Sequence, residues 1–568
     1  MGSQIEFLVG DGKVTDKELA ELLFPNVDKT PEDYEKIYPK RNLKEGAVVS
    51  RFAPSPTGFV HMGSLLTTLI ARKIPDETDG VFILRIEDTD QKRSVENGIG
   101  GIVDDLNNFD IKIDEGALGE DSFVGDYGPY IQSQRKEIYE CYAKSLVERG
   151  LAYPCFCSEE ELDETRKLQE LNKERIGYYG SFAKCRDLSN EERKERILRG
   201  DPYVIRLKSP GVYEKKVIFN DLVRGKIVFP ENDLDVVLIK SDGLPIYHFA
   251  HVVDDHLMRT THVLRGEEWL SSVPVHIQLF DLLGFELPKF AHLGLVMKID
   301  EETGQKRKLS KRKDKEAAVS YYHEQGIPVM AVKLYLMTIG NSNFEEWLNQ
   351  NPGRDYNEFK FDFKKMSASG SLFDLEKLIN ISRNYISRLT AQEVYDNALK
   401  YYQEYDEEFY NLLVKYKDYA INMFNIERNQ KKPRKDYAKY SDIKGYTWYM
   451  FDELFAKEEN KKYEYQGITD KEEIKKILKL YLEKYYHEDD DEQTWFERLK
   501  DLSEEMGYSR EVKDYKENPD KYKGHVGDIS MVLRVAVTTK AQTPNLYQII
   551  KLFGKDRLEK RLNEVILK

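Results

Sequence analysis

Arg51-Phe-Ala-Pro-Ser-Pro-Thr-Gly-Phe-Val-His61-Met-Gly63-Ser64 is the stretch on which the reading of this chain turns. Ala47–Phe52 predicts a short buried strand, Ala53 to Gly58 a Pro/Gly turn, and Met62 to Asp79 a helix. A strand running through a tight turn into a helix exposes free backbone N–H groups and the positive end of a dipole, a setting suited to a triphosphate. Gly63 would let a nucleotide approach the backbone closely, and His61 can donate to a phosphate oxygen. A lone His-x-Gly is more often an ordinary surface turn, but here string, spacing and context agree.

Working outward, Val81–Ile86 predicts a second strand and Lys136 to Arg149 a further helix. Strands that alternate with helices imply a parallel α/β sheet. From about Leu151 to Pro230 the pattern breaks into a Cys-x-Cys knuckle, a charged helix and a β-rich stretch (Tyr203–Lys208, Val217–Phe219, Lys226–Phe229), read as an insertion. The α/β pattern returns with Asp235–Lys240, His262–Gly266, the helix after Glu268, and His292–Met297. Beyond about Ala317 strand signals fade, and segments such as Lys471–Tyr486 and Leu546–Leu567 predict helices. The expected fold class is a Rossmann-like α/β catalytic domain with an α+β insertion, followed by a mostly α-helical C-terminal half. The boundaries are 1–46 (helical extension), 47–150 and 235–316 (the two halves of the catalytic domain), 151–234 (insertion), and 317–390 and 391–568 (helical). In the extension, Val14 to Phe24 carries apolar residues at helical spacing with Asp16 as the expected N-cap, and it predicts packing without chemistry.

The 568 residues exceed what one core supports. With 33% charged residues and a mean hydropathy of −0.63, no apolar run is long enough to span a bilayer. Met1 to Gly12 has no secretory pattern, and four cysteines form no disulfide framework, so the expected compartment is the cytoplasm. A net charge of −14 argues against a nucleic-acid partner only on average, because basic residues cluster locally at Lys306–Lys308 with Lys311–Lys313, and at Lys431–Lys432 with Arg434–Lys435. The first of these clusters, Lys306-Arg-Lys308-Leu-Ser-Lys311-Arg312, follows the opening motif by about 250 residues, at the far end of the α/β region, where a second phosphate clamp would close the same crevice.

The opening string resembles the "HIGH" motif, and this one the "KMSKS" motif, of class I aminoacyl-tRNA synthetases. Leu84-Arg-Ile-Glu-Asp-Thr-Asp90, Val252-Val-Asp-Asp-His-Leu-Met258 and Arg265-Gly-Glu-Glu-Trp-Leu270 resemble the bacterial-type glutamyl-tRNA synthetases in particular, as does the stretch from Val526-Gly-Asp to Thr539. The resemblance is strong from about Ala47 to Lys313 and weaker beyond.

The resemblance implies that His61, Lys308 and Lys311 are catalytic. ATP would be bound by His61, Gly63, Ser64, Glu268, Leu295, Val296, Lys308 and Lys311, with Ser64 standing where many class I enzymes have a second His. Glutamate would be bound by Arg51, Ala53, Ser55, Glu87, Tyr247, His251, Arg265 and Trp269. His251 is a departure, because the position often carries Asn. Independently of the family, a dicarboxylate with an α-amine calls for guanidinium forks and an acid, which Arg51, Arg265 and Glu87 supply. The implied reaction uses ATP with Mg2+ to activate L-glutamate as glutamyl-adenylate, then transfers it to the 3′ end of tRNA-Glu, and of tRNA-Gln if the enzyme is non-discriminating. The insertion would hold the acceptor stem and the helical half the anticodon arm, in a monomer without membrane contact. A glutaminyl-tRNA synthetase and a non-catalytic tRNA-binding scaffold are the alternatives. Cys155-Phe-Cys157 with Cys185-Arg-Asp187 resembles a Cys-x-Cys…Cys-x-His zinc site that some of these enzymes have. It implies structural Zn2+ on Cys155, Cys157, Cys185 and Asp187, with Tyr179 a lesser substitute for Asp187.

Overall fold

The computed structural model describes residues 13–56, 60–90, 95–310 and 312–567. The chain divides into two compact units, one of residues 1–321 with 336–373 and one of residues 322–335 with 374–568.

The first unit opens with helices α1 (Asp16–Leu23) and α2 (Pro31–Ile37). Thr15, not Asp16, caps α1: its side chain accepts the Glu18 N–H while Glu18 reaches back to Thr15, a reciprocal box whose spacing makes Asp16 the first helical residue. The sheet follows with β1 (Val49–Phe52), the crossover helix α3 (Met62–Thr78), β2 (Val81–Leu84) and β3 (Glu115–Ala117). After the insertion come helix α4 (Tyr247–Leu257) and strands β4 (His262–Gly266) and β5 (Lys289–Leu293). β1 pairs with β2, β2 with β3 and β4 with β5, all parallel. β4 joins the other side of β1, where Thr261 N–H donates to the Val49 carbonyl at 2.9 Å and Val49 N–H to Thr261 Oγ1 at 2.9 Å. The order β3-β2-β1-β4-β5 reverses at β1/β4, and a doubly wound sheet opens a crevice at the carboxyl ends of the strands there. This is the expected Rossmann-like sheet. β1 is buried at all four residues although two of them, Ser50 and Arg51, are polar. The predicted strand His292–Met297 is divided between β5 and Val296–Ile299, and the latter pairs antiparallel with Lys306–Lys308.

The insertion contributes Ala152–Cys155 and Val204–Leu207 to an antiparallel sheet and a hairpin of Lys216–Asp221 with Gly225–Pro230; Val237–Ile239, expected as a returning strand of the α/β domain, instead completes the insertion's antiparallel sheet by pairing with Val204–Leu207. The second unit is helical, as expected, around a core rich in Tyr, Leu and Ile. Its last helix, Leu546–Leu567, bends at Gly554, whose φ of 72° only glycine adopts without strain.

The extension is tied to the elements that carry the site. Arg41 forks onto Glu115 at 2.6 and 2.8 Å, donates to the carbonyl of Met258 at the end of α4 at 3.0 Å, and lies 3.8 Å above the Tyr127 ring. Glu35 accepts from Arg259 at 2.7 Å and lies 2.5 Å from His256 Nε2. Arg41 and Glu115 are 7% and 16% exposed, so removing one partner strands a largely buried charge. Arg41→Met should therefore cost about 3 kcal/mol in the first unfolding transition. A loss below about 0.5 kcal/mol by calorimetry would make the extension a passive tail.

Candidate functional site

A cavity of about 510 Å³ lies in the first unit, and most of the residues singled out from sequence line it. Arg51, Ala53, Ser55, His61, Gly63, Ser64, Glu87, Tyr247, Arg265, Glu268, Trp269, Leu295, Val296 and Lys308 all reach its wall. Lys311 lies outside the described residues.

On one side the turn after β1 delivers the start of α3. Glu87 N–H donates to the Pro54 carbonyl at 3.0 Å, which holds the turn against the end of β2. His61 is the N-cap of α3, its Nδ1 accepting Ser64 N–H at 3.1 Å and its Nε2 lying 2.9 Å from Ser64 Oγ. A side chain at Gly63 would lie 3.1 Å from the His61 ring, so this glycine seats the histidine as well as leaving the helix start open. The basic loop returns here: His61 bridges Ala318, and Leu309 N–H donates to the Val296 carbonyl at 2.9 Å. Lys308 Nζ lies 3.9 Å from Glu268, both half exposed. Asp314 staples the loop. It takes a fork from Arg307 at 2.6 and 2.8 Å, Ser310 N–H at 2.9 Å and Lys298 at 3.3 Å, and the Arg307 guanidinium holds its carboxyl well below the usual range.

On the other side is a buried charge network. Asp255 accepts from Arg51 at 3.2 Å and Arg85 at 2.7 Å, and Arg85 also donates to Glu87 at 3.0 Å. Asp254 accepts from Arg135 at 2.7 Å, Gln132 at 2.9 Å and Tyr139 at 2.8 Å. Burial raises Glu87, against the pull of Arg85 and Arg51. Arg265 is different. Its guanidinium donates to His292 Nε2 at 3.0 Å and Tyr247 Oη at 3.2 Å, and lies 3.0 Å from His276 Nδ1, and burial lowers its pKa. Tyr247 in turn lies against Trp269, ring centres 4.1 Å apart.

His251 does not reach the wall. It is fully buried behind Tyr247, ring centres 5.5 Å apart and nearly parallel. Its Nδ1 sits 2.6 Å from Asp255 Oδ2, out of line for a well-formed hydrogen bond. Any influence on a ligand passes through Asp255 and Tyr247. Sequence reading missed Arg85, Asp254, Asp255, His276, His292 and Asp314. Arg85 carried a signal, a guanidinium inside an apolar strand; the pair Asp254-Asp255 lay inside a quoted motif without a role; His276 and His292 carried none.

Comparison with known proteins agrees with this geometry. Residues 47–380 match the family described as "tRNA synthetases class I (E and Q), catalytic domain", and residues 513–566 an "Anticodon binding domain". A glutamate–tRNA ligase of Clostridium perfringens is 50% identical over 96% of this chain and 100% of its own length. The chain belongs to the glutamyl-tRNA synthetases of class I. A member from Sorangium cellulosum is 41% identical over 94% of this chain and 97% of its own. A crystal structure of a glutamate tRNA ligase from Elizabethkingia meningosepticum in complex with its amino acid superposes with a TM-score of 0.72 at 26% identity, covering 92% of this chain and 99% of that one. No helix among the described residues of this synthetase is long and apolar enough to cross a membrane.

The insertion brings Cys155, Cys157 and Cys185 together, their sulfurs all within 4.8 Å of one another. Asp187 is not with them. The turn after Cys185 carries it to the surface, while its neighbour Arg186 reaches in to Asp235. Tyr179 is also elsewhere, donating to the Arg175 carbonyl at 2.8 Å. The fourth polar atom is the Tyr178 hydroxyl, 3.3 Å from Cys155 Sγ and 3.4 Å from Cys157 Sγ. Tetrahedral zinc with bonds of about 2.3 Å sets its sulfurs about 3.8 Å apart; Cys157 and Cys185 stand at 3.7 Å. The donor set fits.

Burial pushes His248 down to about 4 and His251 to about 3 from 6.5. Groups with a lower pKa when folded bind fewer protons in the folded state, so stability falls as pH drops below the unfolded value. The stability of this unit should decline as pH falls from about 6.5 towards 4. The double variant His248→Gln/His251→Asn should flatten that decline between pH 6.5 and 5, read from urea midpoints; an unchanged slope would show that these rings are not held neutral.

Proposed function

We propose that this synthetase forms glutamyl-adenylate in the 510 Å³ cavity and that the residues lining it divide into two subsites. The reading is carried by one observation: a buried guanidinium, Arg265, on the cavity wall whose hydrogen-bond partners are all neutral. A dicarboxylate supplies the missing anion. Arg51, Ala53, Ser55, Glu87, Tyr247 and Trp269 complete that subsite, with Glu87 facing the ammonium group. ATP lies along the other wall, its phosphates against the α3 start with His61, Gly63 and Ser64, and its adenosine near Glu268, Leu295 and Val296. Magnesium accompanies it.

A glutamate α-carboxylate oxygen attacks the α-phosphorus in line, and the bond to pyrophosphate breaks. A terminal ribose hydroxyl of the tRNA then attacks the acyl carbon, and AMP leaves. No protein nucleophile is needed; the residues orient the reactants and meet developing negative charge. Lys308 and Lys311 do the latter, on a loop pinned by Asp314. Free glutamine is a poor substrate, because Arg265 and Arg51 offer only donors to an amide NH₂ in a buried site.

The insertion serves the acceptor stem and the second unit the anticodon arm of tRNA-Glu, in a cytoplasmic monomer. The second unit supports this with a cavity of about 370 Å³ where Arg383, Arg434 and Lys435 meet Tyr446, Gln542 and Thr543. Cations, a ring and amide or hydroxyl edges are what an unstacked base requires. Lys431 and Lys432 are exposed beside it. The cysteine knuckle holds structural zinc, with Tyr178 rather than Asp187 as the fourth ligand, and pins two separate stretches of a small insertion.

Lys311→Ala should slow adenylate formation about a hundredfold, roughly 3 kcal/mol, with ATP binding kept. Near-normal turnover in aminoacylation would remove Lys311 from the mechanism, and absence of any charging by the parent protein would favour a scaffold. Charging of purified tRNA-Glu and tRNA-Gln in parallel decides discrimination. Elemental analysis should find one zinc per chain, lost together with thermal stability in Cys155→Ser/Cys157→Ser; a metal-free parent with an equally stable variant would leave three packed thiols.

A further inference from the structure

In the network behind the cavity wall, buried guanidiniums are matched by carboxylates. Arg51, Arg85 and Arg135 are fully buried or nearly so, and they pair with Glu87, Asp254 and Asp255. Three cations meet three anions. Arg265, 5% exposed, has no carboxylate among its hydrogen-bond partners. What holds it in place is a pair of imidazoles, His276 and His292, each fully buried.

The hydrogen-bond directions define both tautomers. Arg265 Nε–H donates to His292 Nε2, so the proton of that ring sits on Nδ1, which lies 2.7 Å from Asp221 Oδ2. Asp221 is anchored in turn by the N–H groups of His292, Val223 and Arg224 at 3.0, 2.9 and 3.0 Å. The Arg265 Nη2 group can only donate, so His276 Nδ1 is an acceptor and the proton of that ring is on Nε2, aimed at His248 Nδ1 at 2.9 Å. Asp221 therefore fixes the acceptor that meets Arg265 but stands one ring away from it.

We propose that His276 and His292, the latter oriented by Asp221, are positioning residues of the glutamate subsite that hold the Arg265 guanidinium by neutral acceptors, leaving its charge for a carboxylate of the substrate. A carboxylate in either position would hold the arginine as firmly, but it would neutralise the cation and remove the reason for an anion to enter. An apolar residue would leave a buried donor without an acceptor. This rests on the reading that the cavity binds glutamate.

The test uses the full-length protein in steady-state aminoacylation, with glutamate and ATP varied separately, and thermal unfolding as the fold check. His276→Glu should raise the glutamate KM at least a hundredfold with the ATP KM little changed, while the melting temperature stays at or above that of the parent. His276→Gln, whose amide oxygen can accept, should stay within about tenfold of the parent, whereas His276→Leu should not; equal effects of Gln and Leu would reduce the ring to packing. Asp221→Asn, which touches no part of the cavity wall, should raise the glutamate KM more than tenfold, because an amide N–H can turn the His292 ring so that it faces Arg265 with a donor. Folded His276→Glu and Asp221→Asn proteins with glutamate KM within threefold of the parent would overturn the proposal. A parent protein that charges no glutamate would instead overturn the reading of the cavity.

Discussion

The first unit is organised around one constraint: positive charge that is buried without being cancelled. Arg51, Arg85 and Arg135 are buried against Glu87, Asp254 and Asp255, whereas Arg265 is held by neutral acceptors, with Asp221 standing one ring away beyond His292. Ionised groups away from water are tolerated only when their geometry is held from several sides. That need explains why α4 presents Asp254 and Asp255 inward together, why Gln132 and Tyr139 both donate to Asp254, and why Arg51 can occupy a buried strand. On the reading proposed above, Arg265 gives a substrate carboxylate a partner and gives a neutral amide nothing equivalent.

The N-terminal extension takes part in this arrangement although none of its described residues lines the cavity. Arg41 donates to the Met258 carbonyl just past α4 and ties it to β3, and Glu35 meets His256 and Arg259 at the same end. α4 carries Tyr247, His251, Asp254 and Asp255, so displacement at its C-terminus would move the acids against which the arginines are balanced. The wall formed by the start of α3 and the basic loop is built on a different principle. There Lys308 and Glu268 are half exposed, the helix start is capped by His61, and the basic loop is held by Asp314. A site that must admit a triphosphate and release pyrophosphate needs cations that remain solvated and able to move; a site that must tell a carboxylate from an amide needs a cation that is dry and fixed.

Much of this was legible in the chain alone. Strand, turn and helix around His61 follow from local pattern, because buried strands and crossover helices leave their periods in short windows, and the two phosphate motifs are contiguous strings. The parallel sheet and the helical C-terminal half needed no coordinates, and most of the site residues named from the sequence reach the cavity wall. Cys155 and Cys157 are neighbours by spacing alone, whereas Cys185 is expected beside them only from the family resemblance, and the fold brings it there.

What only the tertiary structure decided are relations between residues distant in sequence. Asp187 stands at the spacing of a ligand, yet the turn after Cys185 faces it to solvent and the hydroxyl of Tyr178, seven residues before Cys185, stands over the sulfurs instead. His251 falls within a binding motif, but α4 turns it behind Tyr247. His276, His292 and Asp221 carry no motif at all. The pairing of β4, β5 and the hairpin strand before β5 sets His292 beside Arg265 with Asp221 one ring further out, and the helix Val273–Leu283 brings His276 to the same guanidinium. Composition and spacing specify which charges a chain has and where local turns begin. Which of those charges is left uncompensated is a sum over neighbours that the chain brings together only by folding.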